Sequence, residues 1–146
     1  MRLHVNGPGM PLSDKSTSVV DANVIVSLLL GNERAHFERA KAFFEPVREG
    51  AATAYIPAAV FAECVYVLTR VYTITREDVA NKLLGLLDYR GVATESGAVR
   101  RALTLYRDRN VDFVDALVAA TAHENGWKVF SFDRDLVRLM KYLPMK

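Results

Sequence analysis

Past residue 18 the chain alternates between short β-branched runs and longer stretches whose apolar residues recur three and four apart. Val19-Val20 is strand-like and runs into Asp21. Asn23 to Leu30 is apolar with a helical length, and Gly31-Asn32 breaks it. From Glu33 to Glu49 the apolar Phe37, Ala40, Phe43 and Phe44 mark an amphipathic helix, with Gly50 placed as its C-cap. Thr53 to Ile56 reads as a strand, and Pro57 takes the first turn of a helix to about Arg70. Thr75 and Asp78 resemble a capping box opening a helix to about Tyr89, which Gly91 stops. Val92-Ala93 is a minimal strand. Ser96 to Arg109 is amphipathic, with Val99, Ala102, Leu103 and Tyr106 on one face. A helix over Asp112 to Glu124, a strand over Lys128 to Phe132 and a helix over Asp133 to Tyr142 complete the series.

Short strands alternating with helices predict an α/β sandwich on a mainly parallel sheet, with no repeat or linker to divide it. Residues 1–17 are polar around Gly7-Pro8-Gly9 and read as a flexible leader, leaving residues 18–146 as one domain. The leader has no apolar stretch of the kind a secretory signal needs. In parallel α/β folds ligands gather beyond the carboxyl ends of the strands, so acids there, or on the next helix's first turn, are the candidates for chemistry.

Composition alters this picture little. The chain has 146 residues, 51% of them hydrophobic, which suits one domain with a sizeable core and excludes a disordered chain. No window approaches the roughly 18 apolar residues of a membrane span. Cys64 is the single cysteine, so no internal disulfide exists and a reducing cytoplasm suits the chain. Set in an apolar run, it reads as a buried, inert thiol. Nineteen Lys and Arg against 17 Asp and Glu give a formal net charge of +2, which favours no partner. His4, His36 and His123 lack zinc-ligand spacing, and no phosphate-binding glycine loop is present. Trp127 and the phenylalanines read as core.

Each candidate acid has two readings. Asp21 ends a strand but also sits where it would cap the next helix, and Asn23 is either a local cap or a site-orienting amide. Glu63 is the one charged residue in PAAVFAECVYVL, a helix apolar on every side and so expected to be buried nearly all round. A carboxylate there needs an arginine, a metal or a wet cleft. Asp112 and Asp115 share a face near a helix N-terminus, where they either complement the dipole or point into a site. Asp133 follows a strand and Ser131, and with Asp135 it also suits a cap. Four carboxylates gathered at one edge change the balance. A single pair about 5 Å apart repels by roughly 3 kcal/mol at an effective dielectric of about 20. Convergence therefore calls for a divalent cation, and all-oxygen ligands point to Mg²⁺ or Mn²⁺.

The acids and their settings resemble those of the PIN-domain nucleases, and among them the VapC-type toxins of toxin–antitoxin pairs. The matching segments are VVDANVIVSLLLG, IPAAVFAECVYVL, VDFVDALVAATA and VFSFDRDL, spread over residues 18 to 142. The family's acidic quartet falls on Asp21, Glu63, Asp115 and Asp133, with Asp112 as an additional acid. Asn23 and Ser131 match polar positions beside the first and last acids; threonine is more usual at the latter. The long leader departs from the family. The resemblance implies a three-layer α/β/α fold, a pocket holding Mg²⁺ or Mn²⁺, and hydrolysis of single-stranded RNA. For the toxin branch it also implies a homodimer neutralised by a small antitoxin. Arg34, Arg39, Arg100, Arg101, Arg107, Arg109 and Arg134 are candidates for holding RNA or simply solvated charges. A non-toxic RNA-processing nuclease and a non-catalytic scaffold of the same fold are the alternatives. A phosphoacceptor receiver lacks support, since Asp21 has no paired acid and no lysine directly follows Phe130.

Overall fold

The computed structural model describes residues 4–5 and 16–144. Its sheet has four strands: β1 (His4–Val5), β2 (Thr17–Val19), β3 (Thr53–Tyr55) and β4 (Val92–Thr94), in the order β1-β4-β3-β2. The three longer strands run parallel, with Val19 opposite Tyr55 and Tyr55 opposite Ala93, while β1 is antiparallel to β4. Val92, Ala93 and Thr94 are consecutive and all buried. Because successive strand residues face opposite sides, both faces of the sheet are covered, as in a three-layer α/β/α sandwich. Among residues 1–17, read as a flexible leader, 1–3 and 6–15 lie outside the described residues, whereas His4–Val5 form the edge strand β1.

Among the described residues, seven helices surround the sheet: α1 (Ala22–Leu30), α2 (Arg34–Glu49), α3 (Ala58–Arg70), α4 (Arg76–Leu87), α5 (Ala98–Asp108), α6 (Phe113–Asn125) and α7 (Arg134–Arg138), the last continued by a 3-10 turn, Leu139–Tyr142. The punctuation read in the sequence sets their ends. Gly31, Gly50 and Gly126 stand at φ of 62°, 86° and 70° as C-caps, where a side chain would be strained. Thr75 caps α4 by accepting from the amide of Asp78 at 3.2 Å. Pro57 precedes α3 instead of opening it. Gly91 serves a close approach: a Cβ there would lie 2.0 Å from the carbonyl oxygen of Ala52. The core gathers Ile25, Phe44, Phe61, Leu68, Leu83 and Leu103 into one cluster. Among the described residues, no helix is long and apolar enough to cross a membrane.

Two expectations fail. Lys128 to Phe132 forms no strand: the segment from Trp127 to Phe130 has no regular structure, and β2 is left as the sheet edge, with Val19 72% exposed. Phe130 and Phe132 are 84% and 96% exposed, resting edge-on against each other at 5.7 Å, and Trp127 is exposed too. Alternation in VFSF satisfies strand periodicity, but a strand exists only where a neighbour takes its hydrogen bonds. The expectation that these aromatics are core fails with it, while Phe44, Phe61 and Phe113 are buried as read.

The second correction concerns α3. Its buried residues are Ala58, Phe61, Cys64, Val65 and Leu68, and Glu63 is exposed. The exposed positions Ala59, Glu63, Tyr66 and Arg70 recur four, three and four apart, so they form one solvent stripe. The helix looks apolar all round because alanine and tyrosine occupy part of its wet face.

Candidate active site

The first acid is fixed by the end of β2. The amide of Val20 donates to the carbonyl of Tyr55 at 3.0 Å, and the chain leaves the sheet at Asp21. Asp21 is extended (φ −86°, ψ 156°) and caps α1, its Oδ1 accepting from the amide of Ala22 at 2.8 Å. It is exposed beyond that bond. Asp21 and Asn23 line a groove of about 470 Å³ between α1 and α2, together with Ser27, His36 and Arg39.

Cys64 ties this corner to α3, its Sγ donating to the carbonyl of Ala22 at 3.9 Å. Burial, and after it the nearby carboxylates of Glu63 and Asp21, together push the thiol up to about 12. Both acids therefore lie in electrostatic reach of one sulfur. A thiol so far above neutrality is inert, as its apolar setting suggested.

The remaining acids collect at the start of α6. Asp112 occupies the N-cap position without a side-chain capping bond, and Asp115 lies one turn in. Burial lifts Asp115 above the usual carboxylate range, and Asp112 and Asp133 raise it further. Asp133 caps α7 by accepting from the amide of Asp135 at 2.9 Å, while its own amide donates to Ser131 Oγ at 3.0 Å. The capping readings of Asp21 and Asp133 thus hold alongside any chemical role.

The acids form two groups, Asp21 with Glu63 and Asp115 with Asp112 and Asp133. Helix α3 packs on both α1 and α6 and so stands between them. Among the described residues, no three His, Cys, Asp or Glu side chains are gathered closely enough to hold a metal ion. The donor chemistry nevertheless fits a hard cation. All five are carboxylates, and among the described residues none forms an ion pair, whereas Glu33, Asp88, Asp108 and Asp135 do.

Two supporting residues escaped the sequence reading. Glu95 follows β4 and reaches α3, its Oε1 accepting from the amide of Ala58 at 2.8 Å and from the Tyr55 hydroxyl at 3.3 Å. It caps the helix that carries Glu63, where Pro57 offers no side-chain cap. An acid directly after a strand was the available signal. Arg76 had none, because its partners lie 30 and 35 residues on. Its Nη1 donates to the carbonyls of Tyr106, at 2.9 Å, and Val111, and its guanidinium lies 4.2 Å above the Tyr106 ring. This clamp holds the turn that delivers Asp112 and Asp115.

A sheet with acids beyond its carboxyl edge, on segments of this order and spacing, defines a family. The chain belongs to the PIN domain family, which it matches over residues 18–141. Within the family it is similar to a VapC ribonuclease of Aquifex aeolicus (strain VF5), 30% identical over 123 residues, or 83% of this chain and 90% of that one. No solved structure matches.

Proposed function

We propose that the chain is a divalent-metal-dependent ribonuclease that hydrolyses RNA phosphodiester bonds as the toxin of a toxin–antitoxin pair. The observation that carries the reading is a set of acids without ion pairs among the described residues, one of them raised in pKa by burial and by two of the others, on the segments that match the PIN family. The similarity to a protein named VapC ribonuclease supports the RNA substrate and the toxin role. A cytoplasmic homodimer with a cognate antitoxin belongs to the same reading.

Asp21, Glu63, Asp115 and Asp133 are the residues that would hold Mg²⁺ or Mn²⁺, with Asp112 as a further ligand. When bound, such an ion lowers the pKa of a water that attacks phosphorus and stabilises the charge developing on the phosphoryl oxygens. The chain's own part is positioning. The bond to Ala22 N fixes Asp21 at the sheet edge, and the raised pKa of Asp115 marks the place where positive charge is most needed. Glu63, exposed on α3, stands on the Asp21 side, beside Cys64. Ser131 orients the loop ahead of Asp133 through its amide, and Asn23 stands beside Asp21 in the groove wall.

The test is cleavage of single-stranded RNA with Mg²⁺ or Mn²⁺ by the wild type, Asp21→Asn and Glu63→Gln. Asparagine caps helices as well as aspartate, so Asp21→Asn keeps the fold. Each variant is expected to lose activity by roughly a hundredfold or more. Cleavage at the wild-type rate by both would sink the proposal. Expression without an antitoxin checks the toxin role: growth arrest supports it, and normal growth with active protein leaves an RNA-processing nuclease.

A further inference from the structure

The solvent stripe of α3 continues past Glu63 to Tyr66 and Arg70. These two residues, with Thr69, line a cleft of about 450 Å³ whose opposite wall is the start of α6, at Asp112 and Val114. The cleft thus reaches one of the acids, Asp112. Tyr66 is 63% exposed, and its ring packs on no other aromatic among the described residues. Arg70 is exposed and makes no ion pair among them. Other arginines are engaged elsewhere: Arg100 with Asp88, Arg107 with Asp108 and Asn81, and Arg109 over the ring of Tyr142.

An exposed tyrosine is common by itself, and an arginine in a last helical turn complements the dipole. Their spacing from the acid argues for more. Glu63, Tyr66 and Arg70 follow one another down one face of α3, over about 10 Å at 1.5 Å per residue. That span matches roughly three nucleotide steps of a stacked strand at about 3.4 Å of rise each. An aromatic platform beside a free cation is the combination that binds single strands: the ring takes a base by stacking and the guanidinium takes a phosphate.

We propose that Tyr66 and Arg70 form a subsite for the single-stranded RNA flanking the scissile bond, with a base on the Tyr66 ring and a backbone phosphate on Arg70. This rests on the nuclease reading and deepens it. The subsite explains how an acidic centre retains a polyanion: the strand is held one and two helical turns away, where the charge changes sign.

The experiment measures binding of a fluorescently labelled single-stranded RNA of about ten nucleotides in EDTA, where nothing is cleaved. Tyr66→Ala should weaken binding by about tenfold, and Tyr66→Phe, which keeps the stacking face, should bind like the wild type. Arg70→Ala should weaken binding and flatten the dependence of log K on log salt by about 0.7, the loss of one phosphate contact. Arg48→Ala, whose guanidinium lies over the Tyr89 ring, serves as the neutral control. Wild-type binding by both Tyr66→Ala and Arg70→Ala would overturn the subsite and leave the nuclease reading standing. Weakened binding that appears only with a changed oligomeric state in size-exclusion chromatography would also overturn it, making the stripe an interface between copies. Tyr66-dependent binding by a wild-type chain that cleaves no RNA supports the subsite and removes the nuclease reading alone.

Discussion

Asp115 carries the tension of the site in a single side chain. It sits in the first turn of α6, where the helix dipole favours a negative charge, yet burial and the fields of Asp112 and Asp133 hold its pKa above 3.8. The folded chain therefore keeps the Asp115 proton more tightly than the unfolded chain does. Its contribution to stability is complete below about pH 3.8 and is lost as pH rises through the raised folded value. Asp115→Asn removes the charge that costs the native state. In EDTA, this variant should melt above the wild type at neutral pH, and the gap should close as pH falls toward the unfolded carboxylate value. Thermal melts at several pH values check this; a variant less stable at pH 7 would mean the dipole outweighs the neighbouring acids. The conflict was legible only in part. Two acids three apart on one helix are visible in the sequence, but Asp133 joins them through a contact between α6 and α7 that no local pattern encodes.

At the scale of elements, α6 depends on a residue of α4. Arg76 gathers the carbonyls of Tyr106 and Val111, one at the end of α5 and the other just before the cap of α6, and stacks on Tyr106. Hydrogen bonds from a charged donor contribute about 1.5–3 kcal/mol each, and truncation strands the two acceptors. Arg76→Ala should therefore destabilise by about 3 kcal/mol in urea unfolding, with Arg76→Lys intermediate because an ammonium keeps the charge without the fork. Destabilisation within about 0.5 kcal/mol would show the clamp to be incidental. Helices and caps were largely readable, since Gly31, Gly50, Thr75 and Gly126 act on their own neighbours. Strands were not equally so. Val92-Ala93 pairs because β3 lies beside it, whereas Lys128 to Phe132 has the right alternation and no partner. The apolar letters of α3 likewise concealed its wet stripe, because burial depends on what packs opposite.

Taken over the whole molecule, the near-neutral total of +2 conceals an uneven distribution. Asp21, Glu63, Asp112, Asp115 and Asp133 form no ion pair among the described residues, and α3 turns from Glu63 to Arg70 across two helical turns. Burial, then Asp112 and Asp133, raise the pKa of Asp115, and among the described residues none of the five acids has a cationic partner. A ligand that binds only the native chain stabilises it by mass action, about 1.4 kcal/mol at ten times its Kd. Adding Mg²⁺ or Mn²⁺ at that ratio should therefore raise the melting temperature by about 4–5 °C for a chain of this length. Glu63→Gln and Asp115→Asn should each reduce the rise, because each removes one of the proposed ligands. Monovalent salt at equal ionic strength is the control, since it screens the repulsion without bridging the two groups of acids. A rise reproduced by that salt, or kept whole in both variants, would place the cation elsewhere and leave the acids as caps and surface charges.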